Sequence, residues 1–374
     1  MKIILVGGQC IPGAGGVESY MYNLAQTLAS KGNKITIICS DRTAFTEIIN
    51  GIEIIHKLCP MSNVLAIPIL FFKSIHHILK YKKDIDVVNF QSVLFAFIPG
   101  WITSLCGCKV CYTIHSLAED NHKHGYIFRI LIKIIAFISI WLCGKNILTI
   151  SHSKAKEIKT RYGKSCHVIP CGVNPPAKSI NSDILKRFNI NAGYYYLTIG
   201  RIDPIKNLDV LIKAFIKRNN PKFQLVIAGD LNNDYGMSLL ESAKVNKNII
   251  FVGRVMGADK ECLLNNCFVN CLVSSSEGMP ISLLEAMAYG KPCIVSDIPA
   301  IHEVVQREWV RWCKVRDVKS LATQMCSMEN HNNVMISREN EMANYIIKYH
   351  TWDKIAQRYS DYIDQIICVQ RNLP

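Results

Sequence analysis

The chain has 374 residues, 49% of them hydrophobic and 19% charged, with a formal net charge of +14. That length exceeds one ordinary core and calls for two domains, and the balance of apolar to charged residues excludes a disordered chain. Sixteen cysteines lie scattered without paired C-x-x-C motifs, so they read as reduced, small hydrophobic residues and not as a disulfide framework.

Strand-like apolar runs alternate with helix-length segments, the pattern of parallel α/β sheets. In chain order the first half offers strands at Lys2–Val6, Lys34–Cys39, Ile52–His56, Val87–Phe90, Val110–Ile114 and Ile147–Ile150. Helices are expected at Val17–Lys31, Ile67–Lys82 and Tyr126–Cys143. Pro170–Pro176, with Gly172 between prolines, reads as a linker. A second set has strands at Tyr195–Ile199, Phe223–Ala228, Ile249–Val252, Cys271–Val273 and Cys293–Ser296. Its helices fall near Leu208–Lys217, Met237–Lys244, Ile281–Tyr289 and Val318–Met328. A last helix around Trp352–Ile367 carries Trp352, Ile355, Tyr359 and Tyr362 at helical spacing. The fold class is α/β, with doubly wound domains at 1–172 and 173–350 and a helical segment at 351–374. Ligands of such sheets bind beyond the carboxyl ends of the strands.

The N-terminal apolar run after Lys2 is five residues long before Gly7-Gly8, too short for a signal-peptide core. Arg129 and Lys133 interrupt the most apolar stretch, Tyr126–Cys143, so it is not expected to cross a membrane. Charge is uneven: residues 1–174 hold 19 Lys/Arg against 9 Asp/Glu, a net +10, and the rest carries +4. A basic half suits an anionic membrane surface or nucleic acid, and no aromatic-interleaved basic platform supports nucleic acid as a partner. Ile67–Lys83 and Tyr126–Lys145 mix large apolar residues with Lys and Arg, as interfacial segments do. A core-packed helix with solvated cations has the same pattern.

The most informative stretch is Glu277-Gly278-Met279-Pro280-Ile281-Ser282, continuing through Glu285 to Gly290-Lys291-Pro292. Pro280 suits the first position of a short helix that Gly290 and Pro292 close, and Gly278 lets the backbone approach a ligand. Amides of Ile281 and Ser282 at the positive helix terminus make a seat for phosphate oxygens. Glu285 lies among Ile281, Leu284, Ala286 and Ala288, where an unpaired charge is costly; a ribose diol offers two donors. Arg201 and Lys206 follow a strand of the same half and suit a bidentate and a point-charge contact to a diphosphate, although loop cations are more simply solvated. In the first half, Gly13-Ala-Gly15-Gly16-Val-Glu18 opens a helix and permits close approach of a phosphate or sugar. Its spacing is not G-x-G-x-x-G, so Asp41 after the second strand does not make it a dinucleotide site. His115 directly follows a strand, where a sugar-hydroxyl contact or a transition-state role is possible. Asp84-Ile-Asp86 precedes its strand, at the wrong end to hold a metal on a diphosphate. No metal or other cofactor is expected, and Arg201, Lys206 and helix dipoles take a cation's place.

Together these residues resemble the family-4 retaining glycosyltransferases of GT-B fold. The resemblance is carried by Gly15-Gly16-Val-Glu18, Val168-Ile-Pro-Cys-Gly172-Val-Asn174, Gly200-Arg201 with Lys206, Leu225-Val-Ile-Ala-Gly229, Glu277-x7-Glu285, Ala286-Met-Ala-Tyr-Gly290-Lys-Pro292 and Glu303-Val-Val. It covers nearly the whole chain and implies two Rossmann-like domains facing a central cleft, with the Trp352 helix crossing back to the first domain. It further implies a UDP- or GDP-sugar donor held mainly by the second domain and a glycan acceptor held by the first. On that basis Arg201 and Lys206 stabilise the departing diphosphate with the amides of Ile281 and Ser282, and Glu285 takes the ribose hydroxyls. Glu277 and the Gly278-Met279-Pro280 backbone contact the donor sugar, His115 touches it near the reacting centre, and Gly16, next to Gly15, approaches the phosphates.

The expected activity is metal-independent retaining transfer to a lipid-linked glycan of a surface polysaccharide, of O-antigen or capsule type. The expected location is peripheral, on the cytoplasmic face of the cell membrane. A nucleotide-sugar epimerase of the same fold, or a nucleotide-sugar-binding protein without turnover, are the rival readings. Two departures from the family pattern stand out: Cys171 where Asn is common, and Gln306-Arg-Glu-Trp-Val-Arg-Trp312 in place of an acidic, glycine-rich turn.

Overall fold

The computed structural model describes residues 1–13, 15–59, 66–115, 126–330 and 332–371. It divides into two compact units, one made of Met1–Gly172 with the segment from Trp352 onward, the other of Val173–Thr351.

The first unit is built on eight strands: β1 (Lys2–Gln9), β2 (Lys34–Asp41), β3 (Phe45–Ile49), β4 (Ile52–Leu58), β5 (Val87–Phe90), β6 (Lys109–Ile114), β7 (Ile147–Thr149) and β8 (His167–Val168). Their order is β3-β4-β2-β1-β5-β6-β7-β8. Every neighbouring pair is parallel except β3 with β4, which is antiparallel. Ile3, Ile4, Leu5 and Val6 of β1 are fully buried, because a central parallel strand is covered on both faces. The sheet order reverses at β1, which pairs with β2 on one side and β5 on the other.

Helices α1 (Gly16–Ser30), α2 (Ala66–Tyr81), α3 (Phe97–Leu105), α4 (Tyr126–Leu142) and α5 (His152–Tyr162) connect these strands. The sequence reading missed β3, β8, α3 and α5. β3 is a largely exposed edge strand, β8 has two residues, and α5 carries four Lys/Arg against two buried side chains. Two segments that read alike behave differently. α2 buries Leu70, Phe71 and Ile78 against the sheet, in line with the core-packed alternative for Ile67–Lys83. α4 instead leaves much of its apolar surface outside.

The second unit holds α6 (Ile184–Arg187), β9 (Tyr195–Ile199), α7 (Leu208–Lys217), β10 (Gln224–Ala228), α8 (Asp234–Ala243), β11 (Ile249–Gly253) and α9 (Gly257–Asn266). It continues with β12 (Val269–Leu272), α10 (Ile281–Ala288), β13 (Cys293–Ser296), α11 (Pro299–His302), β14 (Arg311–Cys313), α12 (Val318–Asn330) and α13 (Asn332–Tyr349). Its all-parallel sheet runs β11-β10-β9-β12-β13-β14, so the order reverses between β9 and β12, where such folds bind ligands.

The divergent Gln306–Trp312 stretch forms a 3-10 turn and β14 in place of a glycine turn. Aromatic packing fixes it: Trp309 is buried against Tyr345 at 5.1 Å, and Trp312 stacks on His302 at 4.2 Å. α14 (Trp352–Arg371) packs along α1 in the first unit. There the Cα of Gly172 lies so close to the Trp352 indole that a Cβ would stand 2.8 Å from it, which accounts for glycine at that position.

Candidate functional site

In the second unit the chain leaves β9 at Gly200 and Arg201 and enters a 3-10 turn over Pro204–Lys206. Asp203 caps that turn by accepting the Ile205 N–H at 3.2 Å. Asn207 follows in the left-handed conformation at φ 50°, which asparagine tolerates better than most residues. Its side-chain amide donates to the Val273 carbonyl and to Ser275 Oγ, both at 2.8 Å, while the Ser275 N–H donates to the Ile205 carbonyl at 2.8 Å. The turn after β9 is thereby stitched to the segment after β12. Arg201, Lys206, Gly200 and Ser274 line a small pocket there.

The stitch brings two sequence-selected residues together: Lys206 Nζ donates to Glu277 Oε1 at 2.6 Å, with the side chains 20% and 11% exposed. Arg201 is exposed and has no ion-pair partner among the described residues. Beyond Glu277 the chain passes through Gly278 and Met279 into α10. Pro280 is not the first helical residue, as the sequence suggested. Its backbone is extended and it is the N-cap, its carbonyl accepting from Leu283 and Leu284. Helix geometry leaves the amides of Ile281 and Ser282 without intrahelical acceptors.

At Glu285 the structure adds a partner that the sequence reading did not name: Lys260 Nζ donates to Oε1 at 2.7 Å. Lys260 was missed because α9 reads as polar and buries only Cys262, Leu263 and Leu264. The signal was nevertheless present: an acid on a mostly apolar helix demands a cation or donors.

In the first unit, Gly15 is the N-cap of α1 and Gly16 its first residue. Glu18 folds back over them, its Oε1 accepting the Gln9 N–H at 3.0 Å. A Cβ on Gly15 would stand 1.8 Å from Glu18 Oε2, while one on Gly16 meets nothing within 4 Å. His115 follows β6 and its Nε2 lies 2.9 Å from Gln91 Oε1, the pairing in which Nε2 carries the proton and Nδ1 is the acceptor. Tyr20 packs edge-on against the ring at 4.9 Å. Burial lowers the His115 pKa to about 4, so the ring is neutral at pH 7.

Residues set aside by the sequence reading have structural partners. Asp41 bonds His56 Nδ1 at 2.8 Å. Asp86 accepts the Lys2 N–H at 2.7 Å, and Asp84 lies 3.9 Å from Lys2 Nζ, at the amino ends of the strands. Among the described residues no two cysteines are joined by a disulfide. Among the described residues no group of three or more His, Cys, Asp or Glu side chains is placed to hold a metal ion.

Two doubly wound parallel sheets, one with paired cations and carboxylates at its reversal point, define a GT-B type protein. Residues 14–176 match the family model described as Glycosyltransferase Family 4, and residues 182–350 match Glycosyl transferases group 1. An Escherichia coli UDP-Gal:alpha-D-GlcNAc-diphosphoundecaprenol alpha-1,3-galactosyltransferase is 25% identical, with 98% of each chain covered. The O-antigen chain mannosyltransferase RfbU of Salmonella typhimurium is 26% identical over 67% of this chain and 68% of its own. Among solved structures, WaaG, described as a glycosyltransferase involved in lipopolysaccharide biosynthesis, superposes with a TM-score of 0.76 at 14% identity, covering 96% of this chain and 99% of WaaG. Anabaena Alr3699/HepE in complex with UDP-glucose gives 0.77 at 16% identity, covering 97% and 99%; both share the fold. The chain belongs to the family-4 glycosyltransferases of GT-B fold and is a glycosyltransferase.

Proposed function

We propose that this enzyme transfers a sugar from a UDP- or GDP-sugar to a lipid-linked glycan with retention of anomeric configuration. It works without a metal, at the cytoplasmic face of the membrane, in building an O-antigen- or capsule-like polysaccharide. The observation that carries the reading is the Lys206–Glu277 contact of 2.6 Å beside Arg201 and the α10 N-terminus. Negative charge grows on the diphosphate as the glycosidic bond breaks, so fixed positive groups lower the barrier.

In this scheme Lys206, Arg201 and the amides of Ile281 and Ser282 hold the diphosphate. Glu277 and the Gly278–Pro280 backbone meet the donor sugar. Glu285 receives the ribose: Lys260 occupies Oε1, and Oε2 has no hydrogen bond among the described residues. His115, neutral, offers Nδ1 as an acceptor, and Gly15-Gly16 admits the phosphates closely. The named activities of the Escherichia coli and Salmonella relatives support a nucleotide-sugar donor and a glycan or lipid-linked acceptor.

The test is a product assay. Purified enzyme is incubated with a panel of UDP- and GDP-sugars, with and without a diphosphoundecaprenyl-type acceptor, in the presence of a chelator. Acceptor-dependent release of nucleoside diphosphate and an α-linked product from an α-linked donor support the reading. Isomerised free sugar without acceptor favours an epimerase, and nucleotide binding without turnover favours a binding protein.

A further inference from the structure

The outward face of α4 carries six large apolar residues, Ile130, Leu131, Ile134, Phe137, Ile138 and Trp141, all exposed, with Trp141 61% accessible. They recur at helical spacing opposite a buried row of Ile132, Ala136 and Ile140. A helix packed on one side and apolar on the other is incomplete as a water-facing surface. The neighbouring α3 adds to it: α3 touches α4, and its Ile98, Trp101 and Leu105 are also exposed, Leu105 at 88%.

Charge says what covers this face. Exposed Lys133 lies within the apolar surface and exposed Lys145 just beyond its end. On the other flank α5 packs against α4, with Phe137 6.2 Å from Tyr162 between ring centroids. Lys164 Nζ sits 5.2 Å above the Trp141 ring, and Lys156 and Lys159 are exposed on α5. Between positions 121 and 182 the sequence has one acidic residue, Glu157, and it is occupied by Lys154 at 2.6 Å and Arg161 at 2.7 Å. An apolar stripe with a tryptophan at its edge and lysines along its border matches the layers of an anionic bilayer leaflet: acyl chains, interface and charged headgroups. A protein partner of ordinary composition would not require so one-sided a rim. No described helix is long and apolar enough to cross a membrane.

We propose that the α4 face, extended by Trp101 and Leu105 of α3, is the docking surface for an anionic lipid bilayer. α4 lies in the plane of the interface with Phe137, Ile134 and Trp141 in the acyl region, and Lys133, Lys145, Lys159 and Lys164 reach the headgroups. The proposal deepens the lipid-linked acceptor reading by fixing which surface meets the lipid, but the binding it describes needs neither donor nor acceptor.

The experiment uses the whole protein with vesicles of phosphatidylcholine, with and without phosphatidylglycerol. The wild type is expected to co-float with the anionic vesicles, and brominated lipid to quench its tryptophan emission. The triple variant I134S/F137S/W141S is expected to lose partitioning about a hundredfold, and K133E/K145E/K159E about a hundredfold on anionic vesicles only. Both variants should melt within a few degrees of wild type, since the substituted side chains face solvent. Trp141→Phe with Trp101→Phe should remove most of the bromolipid quenching. Turnover of a water-soluble acceptor analogue by the triple variant at the wild-type rate separates lost docking from a failed transferase reading. Equal flotation of wild type and both triple variants overturns the proposal. So does a concentration-dependent dimer in solution that the serine variant dissolves, because a second copy would then be the occupant.

Discussion

Lys206 Nζ and Glu277 Oε1 stand 2.6 Å apart, across a backbone stitch in which Asn207 bonds Val273 and Ser275. In the proposed scheme a diphosphate that took over Lys206 would release Glu277 to accept hydroxyls of the sugar. Lys206→Ala should lower kcat/KM by about 100- to 1000-fold, the range for removal of one preorganised group that stabilises developing negative charge. Lys206→Arg should restore only part of this, since a planar fork does not reproduce a point charge. Initial rates at saturating acceptor measure both, and wild-type kcat/KM in Lys206→Ala would remove the residue from the mechanism.

Lys260 holds one oxygen of Glu285, so the two variants should differ in degree. Glu285→Gln is expected to raise donor KM by about tenfold or more, the loss of one or two charge-assisted hydrogen bonds. Lys260→Met should raise it by less and leave kcat near wild type, because it orients the acid without touching the sugar being moved. A 2′,3′-dideoxy donor should bind both Glu285→Gln and wild type about equally, and a persistent difference would place Glu285 away from the ribose.

Gly15 and Gly16 are adjacent and should respond oppositely. Gly15→Ala forces the Glu18 carboxylate off its position and off the Gln9 amide, costing about 1–3 kcal/mol of stability. Gly16→Ala meets open space, so its melting temperature should stay within about a degree. Its kcat/KM should nonetheless fall at least about tenfold if a phosphate must come that close. Thermal melts and donor kinetics on the pair read both effects, and an active, stable Gly16→Ala would exclude the close approach.

His115 titrates at about 4 in the native chain because burial disfavours its charged form, against about 6.5 when unfolded. Between those values the unfolded chain binds a proton that the native chain refuses, so stability rises with pH through this window. The contribution is complete above about pH 6.5 and is lost as pH falls toward 4, by about 2 kcal/mol once the half-buried setting of the residue is allowed for. His115→Gln should flatten the melting-temperature profile between pH 6.5 and 4.5 relative to wild type. Gln91→Leu, which removes the acceptor at Nε2, should lower kcat more than it raises donor KM if the ring orientation matters to the transition state.

Sequence carried the central strands, because parallel strands buried on both faces read as unbroken apolar runs: β5, β9 and β13 have the expected limits residue for residue. It failed where packing leaves little trace in the chain. β3 is mostly exposed, α5 and α9 are polar helices held by a few buried side chains, and the turn leading into β14 is anchored by Trp309 packing on Tyr345, a residue far along the chain. The site followed the same rule. Glu277 and Lys206 were selected from residue type and placement beyond strand ends, and Glu285 as an acid on a mostly apolar helix. Lys260 was not, because the helix that presents it was itself unseen, and the need Glu285 announced was assigned entirely to a ligand.

Both acids of the proposed donor site are already matched by lysines, which leaves Arg201 as the one side-chain charge not neutralised in place among these five groups. Such an edge projects little field into solution, so capture of an anionic substrate should gain little from long-range attraction and change only modestly with ionic strength. Recognition is then an exchange of partners at short range: each phosphate or hydroxyl that arrives takes over a contact that the protein had been making with itself.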